Sequence, residues 1–367
     1  MARLNVGVIG CGWVSDWHVR DGLRANPELF SVVACCDTDP HRVEQFGSRY
    51  GIDRRVTDAE AVLAMRDVDV VAICTPPSSH SSLMHMALDA GKHVVCEKPL
   101  TSSLALVDAV IAAERRSAGR VMPVFQYRFG NGIAKARHVI ESGLAGRAYL
   151  ASVETAKRRT AEYYRAAAWR GTFASELGGV LLTQAIHNHD LLLWLLGPVA
   201  EVAAFKTTRV NPIEVEDCAV ASLRMADGSL ASLAATLGSA RQLARFRLCF
   251  ERLTIQCEAY DDASAMPGDE AWTIVPADEA VGREVAARVA EVAPAKSGFA
   301  RQYELFHEAC ARDLPMPVTL EDARRSLELI TAMFDAADTG RAVRLPIGSD
   351  HPKYEGWHTQ ASAQAAA

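Results

Sequence analysis

Near its amino terminus the chain contains the stretch Leu4-Asn-Val-Gly7-Val-Ile-Gly10-Cys-Gly12-Trp-Val-Ser15. Residues 4–9 are mostly apolar and predict a strand, and a helical pattern begins at Val14. A glycine-rich turn between a first strand and a first helix is typical of dinucleotide-binding folds. Gly10 permits the tight turn, and Gly12 lets the backbone approach a pyrophosphate at the helix amino terminus. The third small residue is Ser15 rather than glycine, and alone the motif is a loose signal.

The second predicted strand supports the same interpretation. Residues 30–36 form a mostly apolar run that ends at Asp37, at a distance from Gly12 that suits one intervening helix. A carboxylate at this place can accept hydrogen bonds from a ribose 2′-hydroxyl and repels a 2′-phosphate. No arginine follows Asp37 directly, so the sequence favours NAD over NADP.

Strands and helices continue to alternate up to about residue 127. The pattern predicts helices over 40–50, 58–65, 79–90 and 102–117, and strands over 68–74, 94–96 and 121–127. Such alternation implies a doubly wound parallel sheet. We expect a dinucleotide-binding domain over residues 1–129.

Two of these strands end in sequences that suggest a ligand site. The strand 94–96 runs into Glu97-Lys98-Pro99, and Pro99 cannot continue a central strand, so Lys98 is expected at the carboxyl end of the sheet, where ligands bind. A lysine partly desolvated beside a cofactor can serve as an acid or base; the alternative is a solvated lysine at a strand end. The strand 68–74 ends in a proline turn at residues 75–77, and His80 just after it is expected to pack locally.

The second half of the chain has a different character. A helix over 131–142 leads into longer, alternating strands, with a hairpin signal at Asp227-Gly228. This pattern predicts a mixed or antiparallel sheet in a second domain over residues 130–346, with helices over 177–196, 299–313 and 319–337. Residues 261–291 receive no assignment, and residues 347–367 are expected to form a frayed tail.

The predicted helix 177–196 carries polar side chains on a mostly apolar surface. Thr183 and His187 are four residues apart and would share a face. A satisfied core histidine is the usual explanation for such a residue. His189 would point to the opposite side, and no further ligand types recur at helical spacing, so no metal site is predicted. Asp190 could brace His187 or cap locally.

Composition and charge narrow the function classes. The net charge of −6 gives no electrostatic footprint for nucleic acid, and no apolar run reaches membrane-spanning length. The chain runs almost directly into its first strand, so no signal peptide is expected. Nine cysteines lie scattered without Cys-x-x-Cys pairs, which favours reduced thiols in a cytoplasmic protein.

The motifs taken together resemble those of the Gfo/Idh/MocA oxidoreductases, the family of glucose–fructose oxidoreductase and inositol dehydrogenase. The resemblance runs from residue 5 to about 346. It rests on the glycines at 7, 10 and 12, the turn at 75–77 with His80, Gly91-Lys-His before Glu97-Lys-Pro, Tyr127-Arg-Phe, and Gly178-Gly through His187 to Asp190-Leu. It implies an amino-terminal Rossmann domain and a carboxyl-terminal α+β domain with a large open sheet. One face of that sheet would cover the site, and the other would form a homodimer or homotetramer.

The resemblance also implies an activity and a set of site residues. The activity is NAD-dependent hydride transfer to or from a secondary alcohol or ketone of a sugar, cyclitol or sugar derivative. Lys98 and His187 would flank the reacting carbon; many members have an Asp where this chain has Thr183. The residues implied for the cofactor are Gly10, Gly12, Trp13, Val14, Asp37, Thr75, Pro76, His80, Glu97 and Lys98. The residues implied for the substrate are Tyr127, Tyr164, Trp169, Arg170, Thr183 and His187, with Tyr163 a further candidate for the pocket wall.

Two questions stay open at the level of sequence. The basic side chains Lys157, Arg158, Arg159 and Arg165 could be a solvated strand edge, or they could meet a carboxylate or phosphate on the substrate. The fold alone does not establish catalysis. An NAD-binding regulatory sensor and a glycosidase with tightly bound NAD are the competing functions.

Overall fold

The computed structural model describes residues 2–261, 267–268 and 272–357. The chain divides into two compact units, one formed by Met1–Phe125 with Gly298–Arg324 and the other by Gln126–Ser297 with Arg325–Ala367. The sequence predicts that the first domain ends at residue 129, close to Phe125, where the chain first leaves the first unit. It gives no indication that the chain returns to the first unit at Gly298.

The strands, in chain order, are β1 (Leu4–Ile9), β2 (Phe30–Cys36), β3 (Arg54–Val56), β4 (Val70–Ile73), β5 (His93–Cys96), β6 (Val121–Pro123), β7 (Ala148–Arg158), β8 (Val199–Thr207), β9 (Cys218–Met225), β10 (Leu230–Thr236), β11 (Gly238–Phe250), β12 (Leu253–Asp261), β13 (Thr273–Pro276) and β14 (Val343–Arg344). The helices are α1 (Trp13–Trp17), α2 (Pro40–Tyr50), α3 (Ala59–Leu63), α4 (His80–Asp89), α5 (Leu104–Glu114), α6 (Asn131–Glu141), α7 (Ala161–Arg165), α8 (Val180–Thr183), α9 (Ile186–Leu196), α10 (Glu279–Ala290), α11 (Gly298–Arg312) and α12 (Leu320–Thr339). A π-helical turn over His18–Leu23 continues α1, and 3₁₀ turns cover Pro77–Ser79 and Gln126–Arg128.

The first unit contains a six-stranded parallel sheet in the order β3-β2-β1-β4-β5-β6. The central strands are buried on both faces, with every residue of β4 inaccessible, which explains their continuous apolar sequence. The order reverses between β1 and β4, and open sheets bind ligands beyond the carboxyl ends of the strands at such a point. The predicted doubly wound sheet is confirmed.

The returning helix α11 packs on the π-helical turn of the same unit. A Cβ at Gly22 would lie 2.5 Å from the ring of Tyr303, so glycine is required there. The Tyr303 side chain is buried and meets Phe30 edge to face, with ring centroids 5.5 Å apart. These long-range contacts hold Gly298–Arg324 to a sheet that ended at Pro123.

The second unit contains an eight-stranded sheet in the order β13-β12-β11-β7-β10-β9-β8-β14. Only β7 and β10 pair in parallel; the other neighbours are antiparallel. The predicted hairpin at Asp227-Gly228 joins β9 to β10, and Gly228 has a φ of +89°, a conformation that favours glycine. The large mixed sheet is as predicted.

The predicted single helix over 177–196 is wrong. The structure has two helices there, α8 and α9, separated at Gln184 and Ala185. The amide of Ala185 bonds to the carbonyl of Val180, five residues back, so the regular pattern is lost. Leu177 has a φ of +73° and lies outside both helices.

Two further segments of this unit contain structure that the sequence does not predict. Within residues 261–291, which received no assignment, the structure has β13 and α10. Of the predicted frayed tail, residues 358–367 lie outside the described residues, while the part up to Trp357 is packed. Trp357 is buried and stacks on Phe334 with ring centroids 4.5 Å apart, and Lys353 bonds to Asp338 at 2.8 Å.

Candidate active site

The glycine turn after β1 is tightly built. Gly10 has a φ of +97°, and a Cβ there would lie 2.7 Å from the carbonyl carbon of Cys74. Its amide donates to the carbonyl of Cys36 at 2.7 Å. Any side chain at position 10 would push apart the ends of β1 and β4, at the topological switch point of the sheet. Gly12 is different, because an added Cβ would meet no heavy atom within 4 Å. The space beside Gly12 is therefore open.

Asp37 braces the same turn from the end of β2. Its Oδ2 accepts the amide of Cys11 at 2.9 Å, and its Oδ1 accepts the amide of Asp39 at 3.0 Å. A carboxylate has about four acceptor positions, so two remain for ligand hydroxyls. The two neighbouring predicted residues begin α1: Trp13 is 65% exposed and packs on Trp17, and Val14 is half-buried.

The turn after β4 is held to the turn after β5 by His80. This side chain is fully buried, and its ring nitrogens lie 2.8 Å from the carbonyl oxygen of Pro99 and 2.9 Å from that of Thr75. Burial lowers the pKa of His80, and the two carbonyls only partly offset this. Pro76 is exposed between them. His80 therefore packs locally, as expected, and positions Thr75.

Lys98 stands on a buried polar network. The His18 ring lies 2.9 Å from Glu97 Oε1 through Nε2 and 2.7 Å from the Tyr303 hydroxyl through Nδ1. The other oxygen of Glu97 accepts the amide of Lys98 at 3.0 Å. Burial opposes ionisation of Glu97, but the hydrogen bond from His18 and the positive charges of His18 and Lys98 outweigh it and lower the pKa of Glu97. The carboxylate thus fixes the backbone that carries the half-buried Lys98.

In the second unit the structure brings together His187 and Tyr127. Their rings stack with centroids 4.5 Å apart and planes inclined by 25°. The turn carrying Tyr127 is anchored by Arg128, whose guanidinium donates to both oxygens of Asp190 at 2.7 and 2.6 Å. Arg128 and Asp190 are both buried. Asp190 thus ties the Tyr127 turn to α9.

Thr183 lies at the end of the short helix α8. Its hydroxyl donates to the carbonyl of Gly179 at 2.8 Å. The start of α8 is capped by a buried carboxylate, Glu216, which accepts the amides of Gly179 and Leu181 at 3.0 Å each. Burial raises the pKa of Glu216 to about 7, against these two donors. Because α8 and α9 are separate, Thr183 and His187 do not lie on one continuous helix.

Of the remaining predicted substrate residues, Tyr164 lies in α7, and Trp169 and Arg170 lie between α7 and α8. Tyr164, Trp169 and Arg170 are all half-buried. Burial, followed by the charge of Glu176, raises the pKa of the Tyr164 hydroxyl. The Arg170 guanidinium lies over the ring of Tyr163 at 3.9 Å and over that of Trp169 at 5.2 Å.

Two family models match the chain. The model of an oxidoreductase family with an NAD-binding Rossmann fold matches residues 4–125, and that of the GFO/IDH/MocA C-terminal domain matches residues 133–256. The chain belongs to the Gfo/Idh/MocA family. The resemblance expected from the sequence is confirmed, and with it an oxidoreductase whose first unit is an NAD-binding Rossmann domain.

Individual relatives agree with this membership. The chain is 26% identical to the D-apiose dehydrogenase of Paraburkholderia graminis, over 94% of this chain and 90% of that protein. It is 26% identical to the myo-inositol 2-dehydrogenase of Thermotoga maritima, over 62% of this chain and 66% of that protein. A crystal structure of the WlbA dehydrogenase from Bordetella pertussis, in complex with NADH and UDP-GlcNAcA, has a TM-score of 0.82 at 27% identity and covers 95% of this chain and 100% of that one.

The residues of the first unit of this Gfo/Idh/MocA protein fit NAD. The open space beside Gly12 allows a phosphate to approach the backbone, and Asp37 keeps acceptor positions for ribose hydroxyls. Among the described residues no group of three or more metal-ligating side chains is gathered, and no helix of that part is long and apolar enough to cross a membrane.

Sequence reasoning missed several residues that shape the site. His18, Tyr303 and Glu216 are buried polar side chains from three different segments. A polar residue within an apolar pattern is the signal for such groups, but it does not identify the partner. Only the fold shows that His18 supports Glu97 and that Glu216 caps α8.

Proposed function

We propose that this protein transfers hydride between NAD and a secondary alcohol or ketone of a sugar, cyclitol or sugar derivative. The observation that carries the proposal is the presence of both Lys98, at the carboxyl end of β5, and His187, at the start of α9. A non-catalytic sensor has no need of this pair. The relatives named for apiose and inositol, and the WlbA complex with a nucleotide sugar, support the substrate class.

The two side chains divide the proton chemistry. Oxidation of a secondary alcohol requires loss of hydride from carbon and of a proton from the hydroxyl oxygen. NAD, when bound, supplies the hydride acceptor. One of Lys98 and His187 removes the hydroxyl proton, and the other donates a hydrogen bond to the developing alkoxide. The stacked Tyr127 ring limits rotation of the His187 imidazole, which favours a fixed direction of proton transfer.

The remaining site residues have supporting roles in this proposal. Asp37 selects NAD over NADP by repelling a 2′-phosphate. Thr183 hydrogen-bonds a substrate hydroxyl, and the aromatic residues wall the sugar ring. The residues proposed to contact cofactor are Gly10, Gly12, Trp13, Val14, Asp37, Thr75, Pro76, Glu97 and Lys98, with His80 behind them. Those proposed to contact substrate are Tyr127, Tyr164, Trp169, Arg170, Thr183 and His187.

The test is NADH formation, followed by absorbance, with a panel of sugars, inositols, sugar acids and nucleotide sugars. Lys98→Met and His187→Ala are each expected to lower kcat by about 10²- to 10⁴-fold, the usual contribution of general acid–base catalysis. NAD affinity, measured by calorimetry, should stay within a few-fold of wild type. His41→Ala, at an exposed position, is the matched control. Wild-type turnover in both site variants would refute the assignment.

Two wider properties belong to the same proposal. The eight-stranded sheet exposes apolar side chains on one face, with Phe205 75% exposed beside Val220 and Leu230 beside Leu150. We propose that this face joins copies of the chain into a dimer or tetramer. Sedimentation equilibrium should show a lower mass for Phe205→Glu than for wild type.

Each of the nine cysteines, all within the described residues, is a free thiol, which supports a reducing compartment such as the cytoplasm.

A further inference from the structure

Two arginines of the second unit converge on one tyrosine ring. The guanidinium carbon of Arg159 lies 4.9 Å from the centroid of Tyr163, and that of Arg170 lies 3.9 Å from it. Arg170 also donates to the main-chain carbonyl of Tyr163 at 2.8 Å. Arginine is charged at every physiological pH, so this stack gathers two positive charges around one neutral ring.

The hydrogen-bond partners of these arginines are neutral. Arg159 donates to the side-chain oxygens of Gln184 at 2.9 Å and Gln242 at 3.3 Å, and to its neighbouring main-chain carbonyl. Within the described residues neither arginine has a carboxylate at ion-pair distance, and the buried Nε of each has no acceptor. Two partly buried guanidiniums without a counter-ion repel each other and attract an anion.

Two carboxylates of the same region accept main-chain amides. Glu176 and Asp217 both act on the neighbouring Tyr164 hydroxyl through their charge, so they lie in this region. Glu176 accepts the amide of Gly171, and Asp217 accepts three consecutive amides, over residues 209–211, at 2.7–2.8 Å. Their charges moderate the positive potential of the two guanidiniums.

The other arginines of the basic segment behave differently. Arg158 is exposed, and Arg165 is exposed and pairs with Glu162 at 2.6 Å. These two fit the solvated strand edge considered for the whole cluster. Arg159 does not, because it is half-buried and donates to Gln184 and Gln242. One short segment thus contains two half-buried arginines, Arg159 and Arg170, and two exposed arginines that can serve as matched controls.

The stack connects directly to the site of the proposed function. Gln184, which accepts a hydrogen bond from Arg159, is one of the two residues between α8 and α9. Thr183 immediately precedes it, and His187 follows three residues later. Arg170 itself is among the residues proposed to contact substrate. An anion held by this pair would therefore belong to the molecule that Thr183 and His187 contact.

We propose that Arg159 and Arg170 form a subsite for an anionic group, a carboxylate or phosphate, on the sugar substrate. The inference rests on the proposed function and narrows its substrate class from sugars and cyclitols in general to sugar acids, sugar phosphates or nucleotide sugars. A planar guanidinium binds either anion through paired hydrogen bonds, and the Tyr163 ring holds both side chains in place.

The experiment compares neutral and anionic probes of one sugar: D-glucose, D-glucuronate, D-glucose 6-phosphate and UDP-glucuronate. Dissociation constants are measured by calorimetry with the NADH-bound protein, and kcat/KM is measured for every probe that turns over. Wild type should bind at least one anionic probe about 10-fold or more tightly than glucose. Arg159→Gln and Arg170→Gln should each weaken that binding about 10- to 100-fold. Arg159→Gln should leave glucose binding unchanged, and Arg170→Gln should weaken glucose binding less than anion binding. Arg158→Gln and Arg165→Gln should leave both unchanged.

The outcomes separate this inference from the proposed function. A preference for glucuronate identifies a carboxylate, one for glucose 6-phosphate a phosphomonoester, and one for UDP-glucuronate alone a diphosphate. If the Arg159 and Arg170 variants bind all anionic probes as the Arg158 and Arg165 variants and wild type do, the subsite is refuted. Turnover of neutral sugars would in that case leave the proposed function standing. If anion binding depends on Arg159 and Arg170 but no probe in the wider sugar panel is oxidised or reduced, the subsite stands and the oxidoreductase proposal fails.

Discussion

Acid should destabilise this protein through one histidine in the helix that carries the proposed catalytic residue. His189 is 2% exposed, and its Nδ1 has no hydrogen-bond partner among the described residues. Burial lowers its pKa from the ordinary 6.5 to about 3. The folded protein therefore keeps this imidazole neutral at pH values where the unfolded chain protonates it. The perturbation is a shift from pH 7 to pH 5 in wild type and in His189→Leu.

The sign and size of the change in stability follow from the linkage between protonation and folding. A folded pKa below the unfolded one means that the unfolded chain binds more protons as the pH falls, so stability is full above pH 6.5 and declines towards pH 3. At pH 5 the unfolded histidine is about 97% protonated, and the folded one is almost entirely neutral. The resulting loss from His189 alone is about 2 kcal/mol between pH 7 and pH 5. It grows by about 1.4 kcal/mol for each further pH unit until the folded pKa is reached.

The assay is urea unfolding at both pH values, followed by circular dichroism. Other buried groups, including His80, also contribute to the acid loss in wild type, so the informative quantity is the difference between variants. His189→Leu should lose about 2 kcal/mol less than wild type on acidification, whatever its stability at pH 7. His41→Gln controls for removal of an exposed histidine. Equal acid losses in wild type and His189→Leu would show that His189 is not held neutral.

Three further experiments use substitutions to test the local geometry. Gly10→Ala should lower the free energy of unfolding by several kcal/mol and abolish NAD binding. Gly51, with a φ of +62°, has open space around it, so Gly51→Ala should lower the free energy of unfolding by only about 1 kcal/mol. Urea titration measures the loss of stability, and calorimetry measures NAD binding. Asp37→Asn should raise the KM for NAD about 10-fold and lower that for NADP, because an amide still accepts the turn amide but no longer repels a phosphate; unchanged selectivity would contradict this. Arg128→Gln should cost about 3–5 kcal/mol because the buried Asp190 carboxylate loses both hydrogen bonds from the guanidinium, and Asp190→Asn in that background should recover part of the loss.

The first sheet was predictable because its strands are buried on both faces. Such strands read as continuous apolar runs, and the predicted bounds of β2 and α2 coincide with those in the structure. The edge strand β3 was missed for the opposite reason. It has three half-buried residues, two of them arginines, so its sequence carries no apolar signal.

The site was less predictable because its geometry depends on partners distant in the chain. The interruption between α8 and α9 follows a helix start that is capped by Glu216, more than 30 residues further on. The Asp190 carboxylate meets Arg128, 62 residues away. Residue type and spacing identified Lys98 and His187 as candidates, but they carry no information on which buried groups hold them.

The same buried partners suggest why each proposed catalytic side chain needs so many polar supports. A proton-transferring group must be held to within about half an ångström, and long side chains do not hold themselves. Lys98 follows Glu97, whose carboxylate is fixed by His18 and in turn by Tyr303, all inside the first unit. His187 is fixed by the Tyr127 ring, whose own turn is tied to α9 through Arg128 and Asp190 inside the second unit. Each of these two sets of contacts lies within one unit, and loss of one support should lower kcat.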